Sequence, residues 1–338
     1  MHFRGFVLPA GCFKGSLSPW FLVFALAITE ILLMLPVQSS LPQSNVLQFR
    51  QSALTGIGRA PGTFGELLQG SLAGDSNNFL VTFPISREAI ATFQPNATSR
   101  DITTFPPQKL KASKLTRKLL DHYEIDAGGT LVFLEQLPEG KGLASSSADM
   151  VASARAVANY YRLDVDDALL ATLLGSIEPT DGVMYDQCVS FFHRRCQLIE
   201  RLGTLPPLVV VGIDEGSVVD TLEYNANASA HSDAETAEYA HLLEEISRAI
   251  RENDRHTLGK VSTRSAQMNQ RFNPKQFLET AVDISEECDA LGVVAAHSGT
   301  YLGILLDPMR SDFISQFSQV QTALSRYSNR PIEIFRSF

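Results

Sequence analysis

The sequence carries no surplus of positive charge: 28 Lys and Arg face 37 Asp and Glu, for a formal net charge of −9. Tight binding to a polyphosphate backbone draws on clustered cations, so this balance argues against nonspecific nucleic-acid binding. Cysteine is sparse as well. The four residues, Cys12, Cys188, Cys196 and Cys288, never fall into a CxxC pair, so neither a zinc ligand set nor a disulfide framework is signalled, and all four read as reduced thiols. No repeat or low-complexity tract occurs. The apolar run from Trp20 to Leu35 stops after 16 residues at Pro36 and contains Glu30. It falls short of the roughly 20 apolar residues that a spanning helix needs, and an internal carboxylate is costly there. With His2, Arg4 and Lys14 ahead of it, the run resembles a signal peptide or a short anchor. An upstream extension without a catalytic role is the reading we favour, with membrane contact by this segment as the alternative.

What is present describes an ordinary folded chain. Of 338 residues, 44% are apolar and 9% aromatic, enough for two modest domains with cores of their own. Val37 to Thr55 is polar and rich in Ser and Gln without a period, so residues 1–55 read as a hydrophobic segment and linker outside the core. The folded body begins at Gly56. Paired strands are expected at Phe79 to Pro84 and Ala89 to Gln94, then a helix over Lys109 to His122, a strand at Thr130 to Leu137, and helices over Ser145 to Tyr161 and Asp164 to Ile177. Pro206 and Pro207 open a second half. It holds strands at Leu208 to Asp214, Gly292 to Ala296, Tyr301 to Leu306 and Pro331 to Phe335, with helices over Ser232 to Asn253, His256 to Gln270 and Lys275 to Leu291. Strands and helices mix in both halves, which predicts an α+β fold divided into residues 56–205 and 206–338.

The strongest chemical signal is Pro138 to Asp149 (PEGKGLASSSAD), set between a predicted strand and a predicted helix. Glycines let a backbone approach a ligand closely, and a helix start offers free N–H groups and the positive end of a dipole to anions. Gly140, Lys141, Gly142, Leu143, Ala144, Ser145, Ser146 and Ser147 therefore read as a phosphate cradle; a Ser-capped helix after a turn would use the same residues. Lys141 is followed by Gly142, so this is no Walker A loop, and the HRD and DFG elements of protein kinases are absent.

The cradle resembles the second motif of the GHMP kinases, Pro-x-x-x-Gly-Leu-Gly-Ser-Ser, with Ala144 at the third glycine. Ala60 to Glu66 (APGTFGE) resembles the first motif and His297 to Gly303 (HSGTYLG) a divergent third, in the family's order. Three further segments are similar to the L-threonine kinase branch of cobalamin biosynthesis: Ile177 to Asp181 (IEPTD), Gly65 to Gly70 (GELLQG) and the Ala144 to Asp149 form of the cradle. The resemblance covers residues 56–338. It implies an N-terminal phosphate-binding domain with a left-handed β-α-β unit, a ferredoxin-like C-terminal domain, and ATP bound between them in a cytoplasmic enzyme.

By the same resemblance Asp181 is the expected catalytic group, orienting or deprotonating the attacking hydroxyl, with Asp186 in reserve. An Asx turn or helix cap is the competing role for Asp181. Ser146 and Glu178 are expected Mg²⁺ ligands, and Gly65, Glu66, Thr180, Ser298 and Gly299 belong to the substrate side. Thr63 stands where mevalonate-type members carry a lysine, so Arg59 or Lys141 is the expected source of positive charge. His193, Arg194 and Arg195 form a compact basic cluster, read first as a solvated face and second as a seat for a carboxylate. His297 reads as a polar turn residue. The expected acceptor is the hydroxyl of L-threonine; another small alcohol such as homoserine or mevalonate, or a silent nucleotide-binding module, would fit the same motifs.

Overall fold

The computed structural model describes residues 55–74, 78–216 and 231–338. The run from Trp20 to Leu35 lies outside the described residues, among which no helix is long and apolar enough to cross a membrane. The chain opens with a long antiparallel pair, β1 (Gly56–Ser71) and β2 (Asn78–Asn96). The two strands expected between Phe79 and Gln94 are one. Register shifts between Pro61 and Gly62, and again on either side of Glu66, bend the ladder and carry Pro84 to Glu88 through without a turn.

Next come β3 (Ile102–Phe105), α1 (Leu110–His122), β4 (Gly128–Glu135), α2 (Ser145–Tyr161), α3 (Asp167–Gly175), β5 (Cys188–Phe192) and β6 (Gln197–Gly203). They are followed by β7 (Val209–Asp214), α4 (Asp233–Glu252), α5 (Arg255–Asn269), α6 (Leu278–Glu287), β8 (Gly292–Ala295), β9 (Tyr301–Leu306), α7 (Phe313–Tyr327) and β10 (Ile332–Arg336). The strands form a single curled sheet in the order β10-β7-β9-β8-β1-β2-β4-β3, from which β5 and β6 branch off β2. The pairing is antiparallel except between β3 and β4. The architecture is α+β, as the mixed pattern of strands and helices indicates.

The glycines that open β1 serve helix packing. A Cβ on Gly58 would lie 2.0 Å from the Ala152 carbonyl oxygen, and one on Gly56 would lie 2.1 Å from that of Ala156. Small residues of α2, among them Ser147, Ala148, Ala152, Ser153 and Ala156, are buried against this strand, so helix and strand backbones come together with little side chain between them. The middle of β1 is held by Phe64. Its ring packs edge-on against Tyr301 and Phe335, with centroids 5.5 and 4.7 Å away, in space left open by Gly212 and Gly303. Each such pair contributes about 0.5–1.5 kcal/mol beyond burial. A second core lies under α6 and α7, where Ile284, Val320 and Leu324 cover Val211, Ile213 and Ile304 of the sheet. The one register pair between β1 and β8 is Glu66 opposite Ala295, and this junction positions the site.

Candidate active site

The loop from β4 to α2 alternates its backbone conformation. Gly140, Gly142 and Ala144 have φ of +69°, +85° and +56°, every second residue in the left-handed region. Alternation of this kind turns successive N–H groups toward a common concavity suited to an anion. Ala144, at the family's third glycine, holds a conformation that costs a non-glycine residue about 1–2 kcal/mol. Neighbouring strands keep it there: Thr63 N donates to Leu143 O at 3.2 Å, Gly65 N to Gly142 O at 3.0 Å, and Thr300 N to Lys141 O at 3.2 Å.

The third motif presses directly on this loop. A Cβ on Gly299 would lie 2.1 Å from Gly142 N, and one on Gly142 would lie 2.3 Å from Ala296 Cβ. Glycine at 142 and 299 is therefore what allows the two segments to touch. Helix α2 then starts without a side-chain cap, and its first turn closes with Ala148 N donating to Ala144 O at 2.9 Å. The N–H groups of Ser145, Ser146 and Ser147 precede that bond and have no helical acceptor.

A cleft of about 440 Å³ opens over this helix start, within the usual range for small-molecule sites. Of the residues expected in the site, Gly140, Gly142, Leu143, Ala144, Ser145, Ser146, Ser147, Glu66, Glu178, Asp181 and Ser298 line it. Gly65, Thr180 and Gly299 stand behind the wall, where Thr180 Oγ1 lies 2.9 Å from Ser147 Oγ. Lys141 turns away and its ammonium pairs with Asp214 at 2.7 Å. Arg59 is paired with Glu88 on the surface, and the reserve carboxylate Asp186 pairs with Arg155 at 3.0 Å with its side chain 80% exposed.

The carboxylates differ in their surroundings. Glu178 accepts from Ser146 Oγ and from Lys111 Nζ, both at 2.5 Å. Burial, and then the charge of Glu178, push Asp181 up to about 7. Burial and then Asp181 raise Glu66 well above the usual carboxylate range, although His297 N donates to Glu66 Oε2 at 2.8 Å. Behind Glu66, burial lowers Lys275 to about 8 while its Nζ donates to Gly299 O at 2.6 Å. Burial, followed by His193, lowers His297 well below its ordinary value, which keeps the ring neutral at neutral pH.

Three cleft residues received no role from the sequence. Lys109 lies between Asp149 at 2.5 Å and Glu139 at 2.6 Å, and both it and Asp149 are buried. Burial outweighs this pairing and raises Asp149 to about 6. Lys111 is the third. The basic cluster also differs from a solvated face: His193 is buried with its ring 5.1 Å from that of His297, and Arg195 lies over Phe192 at 4.1 Å.

With this geometry in place, comparison with known proteins gives the class. The family model described as GHMP kinases N terminal domain matches residues 110–194. By this match and the relatives that follow, the chain is similar to the GHMP kinase superfamily of ATP-dependent phosphotransferases acting on an alcohol. Within that superfamily its sequence relatives include the L-threonine kinase of Citrobacter freundii, 28% identical over 262 residues, covering 76% of this chain and 88% of the relative. The L-threonine kinase of Salmonella typhimurium is 28% identical over 267 residues, covering 76% of this chain and 84% of the relative. Among solved structures, the fold is similar to homoserine kinase from Cytophaga hutchinsonii, with a TM-score of 0.65, 12% identity, and coverage of 88% and 97% of the two chains. It is similar also to L. major mevalonate kinase, with a TM-score of 0.61, 17% identity, and coverage of 84% and 95%.

Proposed function

We propose that this protein transfers the γ-phosphoryl group of ATP to the hydroxyl of L-threonine, forming O-phospho-L-threonine. The observation that carries the reading is a single cleft in which the uncapped start of α2 meets Ser146, Glu178, Asp181 and Glu66. The L-threonine kinase relatives supply the acceptor. A cytoplasmic setting, a role in cobalamin assembly and the division into 56–205 and 206–338 belong to the same proposal.

The helix start and the 140–144 loop hold the polyphosphate through backbone N–H groups, with no side-chain cap competing for them. Ser146 and Glu178 present hard oxygen donors already in contact, a set that suits Mg²⁺. When bound there, the ion would neutralise phosphate charge. The acceptor oxygen attacks the γ-phosphorus, the bond to the β,γ-bridging oxygen breaks with its electron pair leaving on ADP, and the hydroxyl proton passes to Asp181. A group poised near 7 suits that task, because about half of it is ionised at neutral pH and it is basic enough to accept the proton. Glu66, buried beside Asp181, is shifted toward its protonated form, in which it can donate to the acceptor's polar groups.

The test is ADP production with Mg²⁺-ATP and a panel of L-threonine, L-serine, L-homoserine and mevalonate, with Asp181→Ala and Ser146→Ala alongside. Turnover that peaks with L-threonine and falls in both variants supports the reading. A different preferred alcohol moves the enzyme to another acceptor, and nucleotide binding without turnover makes it a silent module.

A further inference from the structure

We infer that Lys111 is the side chain that neutralises the transferred phosphoryl group, an assignment that rests on the kinase reading above. Phosphoryl transfer spreads negative charge over three equatorial oxygens, so a cation at that position lowers the barrier. The usual place for it in the first motif holds Thr63, whose buried side chain carries no charge. Arg59 and Lys141 are committed elsewhere, to Glu88 and Asp214. Among the described residues that line the cleft, the cationic side chains are Lys109 and Lys111.

These two differ in what they are free to do. Lys109 has a side chain only 5% exposed and is clamped by Asp149 and Glu139, so moving it would strand the buried Asp149 carboxylate. Lys111 is 48% exposed and rests on one carboxylate, Glu178, at 2.5 Å. The other oxygen of that carboxylate accepts from Ser146 Oγ in the first turn of α2. The Lys111 ammonium therefore stands one carboxylate away from the phosphate cradle, on the side where Glu178 also faces Asp181. Phosphate oxygens arriving at Ser146 offer it an equivalent partner. Exchange of Glu178 for phosphate keeps the ammonium paired and leaves the Glu178 carboxylate available to a divalent cation. Such an exchange needs a long, half-exposed side chain at the cleft edge, and the second residue of α1 provides one.

The full chain, as Lys111→Met, Lys111→Gln and Lys111→Arg, is titrated by calorimetry with ADP and with a non-hydrolysable ATP analogue, and turnover is measured with L-threonine. We expect affinity for the ATP analogue to fall about tenfold in the Met and Gln variants with ADP affinity within about twofold of the unaltered protein. Their kcat falls about 100-fold, and Lys111→Arg recovers part of it. Equal losses for both nucleotides, or no loss for either, would overturn the assignment. Failure of the unaltered protein to bind nucleotide removes the kinase reading itself, and the Lys111 assignment with it.

Discussion

Replacing Gly299 by Ala tests whether contact between the third motif and the cradle loop builds the phosphate site. The new methyl would lie 2.1 Å from Gly142 N and 2.2 Å from Lys141 O, both backbone atoms that no rotamer change can move aside. Ordinary contact begins near 3.4 Å, so the two segments must part by about 1.3 Å. That displacement breaks the bonds by which Thr300 N and Tyr301 N donate to Lys141 O, at about 1 kcal/mol each, and overpacking adds about 1–3 kcal/mol. A loss of about 3–5 kcal/mol lowers the melting temperature by roughly 5–8 °C, since the shift per kcal/mol shrinks as the folded body grows. Because the same movement shifts the N–H groups of the cradle, kcat/KM falls about 100-fold, the usual cost of misplacing reacting groups by about 1 Å. Gly203→Ala is the control. Unlike Gly299 it has a left-handed backbone, at φ +109°, but its methyl meets nothing within 4 Å, so only local strain is added and activity is kept. Steady-state kinetics and thermal melts on both variants decide the matter. Full kcat/KM in Gly299→Ala would refute the proposition that this contact shapes the site.

Asp181→Asn removes the proposed proton acceptor and is expected to lower kcat by about 10²–10⁴-fold. Because burial and Glu178 hold Asp181 near 7, kcat/KM of the unaltered enzyme rises about tenfold per pH unit on the acid side and levels above 7. Glu178→Gln removes the raising charge and moves that limb to lower pH; an unmoved limb would mean that another group titrates. Lys109→Met leaves the Asp149 carboxylate buried without its cation and destabilises the fold by about 3–5 kcal/mol at neutral pH. Asp149 has a folded value raised above its unfolded one, so protons bind the folded state more tightly, and stability is lost as pH rises through about 6. Urea denaturation should therefore show a smaller deficit below pH 6 than above it, and an equal deficit on both sides contradicts the assignment.

The legible part of the fold was the part with strong local periodicity. Helix α2 lies at Ser145–Tyr161, where its pattern placed it, and β7 and β9 fall on their apolar runs. Helix α7 was missed although Phe313, Phe317, Val320 and Leu324 recur at helical spacing, because Ser and Gln between them dilute the stripe. Strands β5 and β6 carry no clean alternation, and the glycines of β1 concealed a 16-residue strand whose small residues answer to a helix distant in sequence. In the site, the Gly and Ser motifs mark the loop and helix start that line the cleft, because that backbone geometry demands small residue types. Lys109, Lys111 and Asp149 could not be given roles that way. A lysine at a helix start looks the same whether it faces water or a cleft, and only the packing of α1 beside α2 brings these ammonium groups to the cradle.

The central claim is the identity of the phosphorylated product, and phosphorus NMR of a reaction containing the full chain, Mg²⁺-ATP and L-threonine reads it directly. The account predicts a new phosphomonoester resonance, coupled to the threonine β-proton, that grows in step with ADP and is lost in Asp181→Asn. ADP accompanied only by inorganic phosphate, or a phosphate ester formed on another alcohol of the panel while L-threonine stays unmodified, would contradict it.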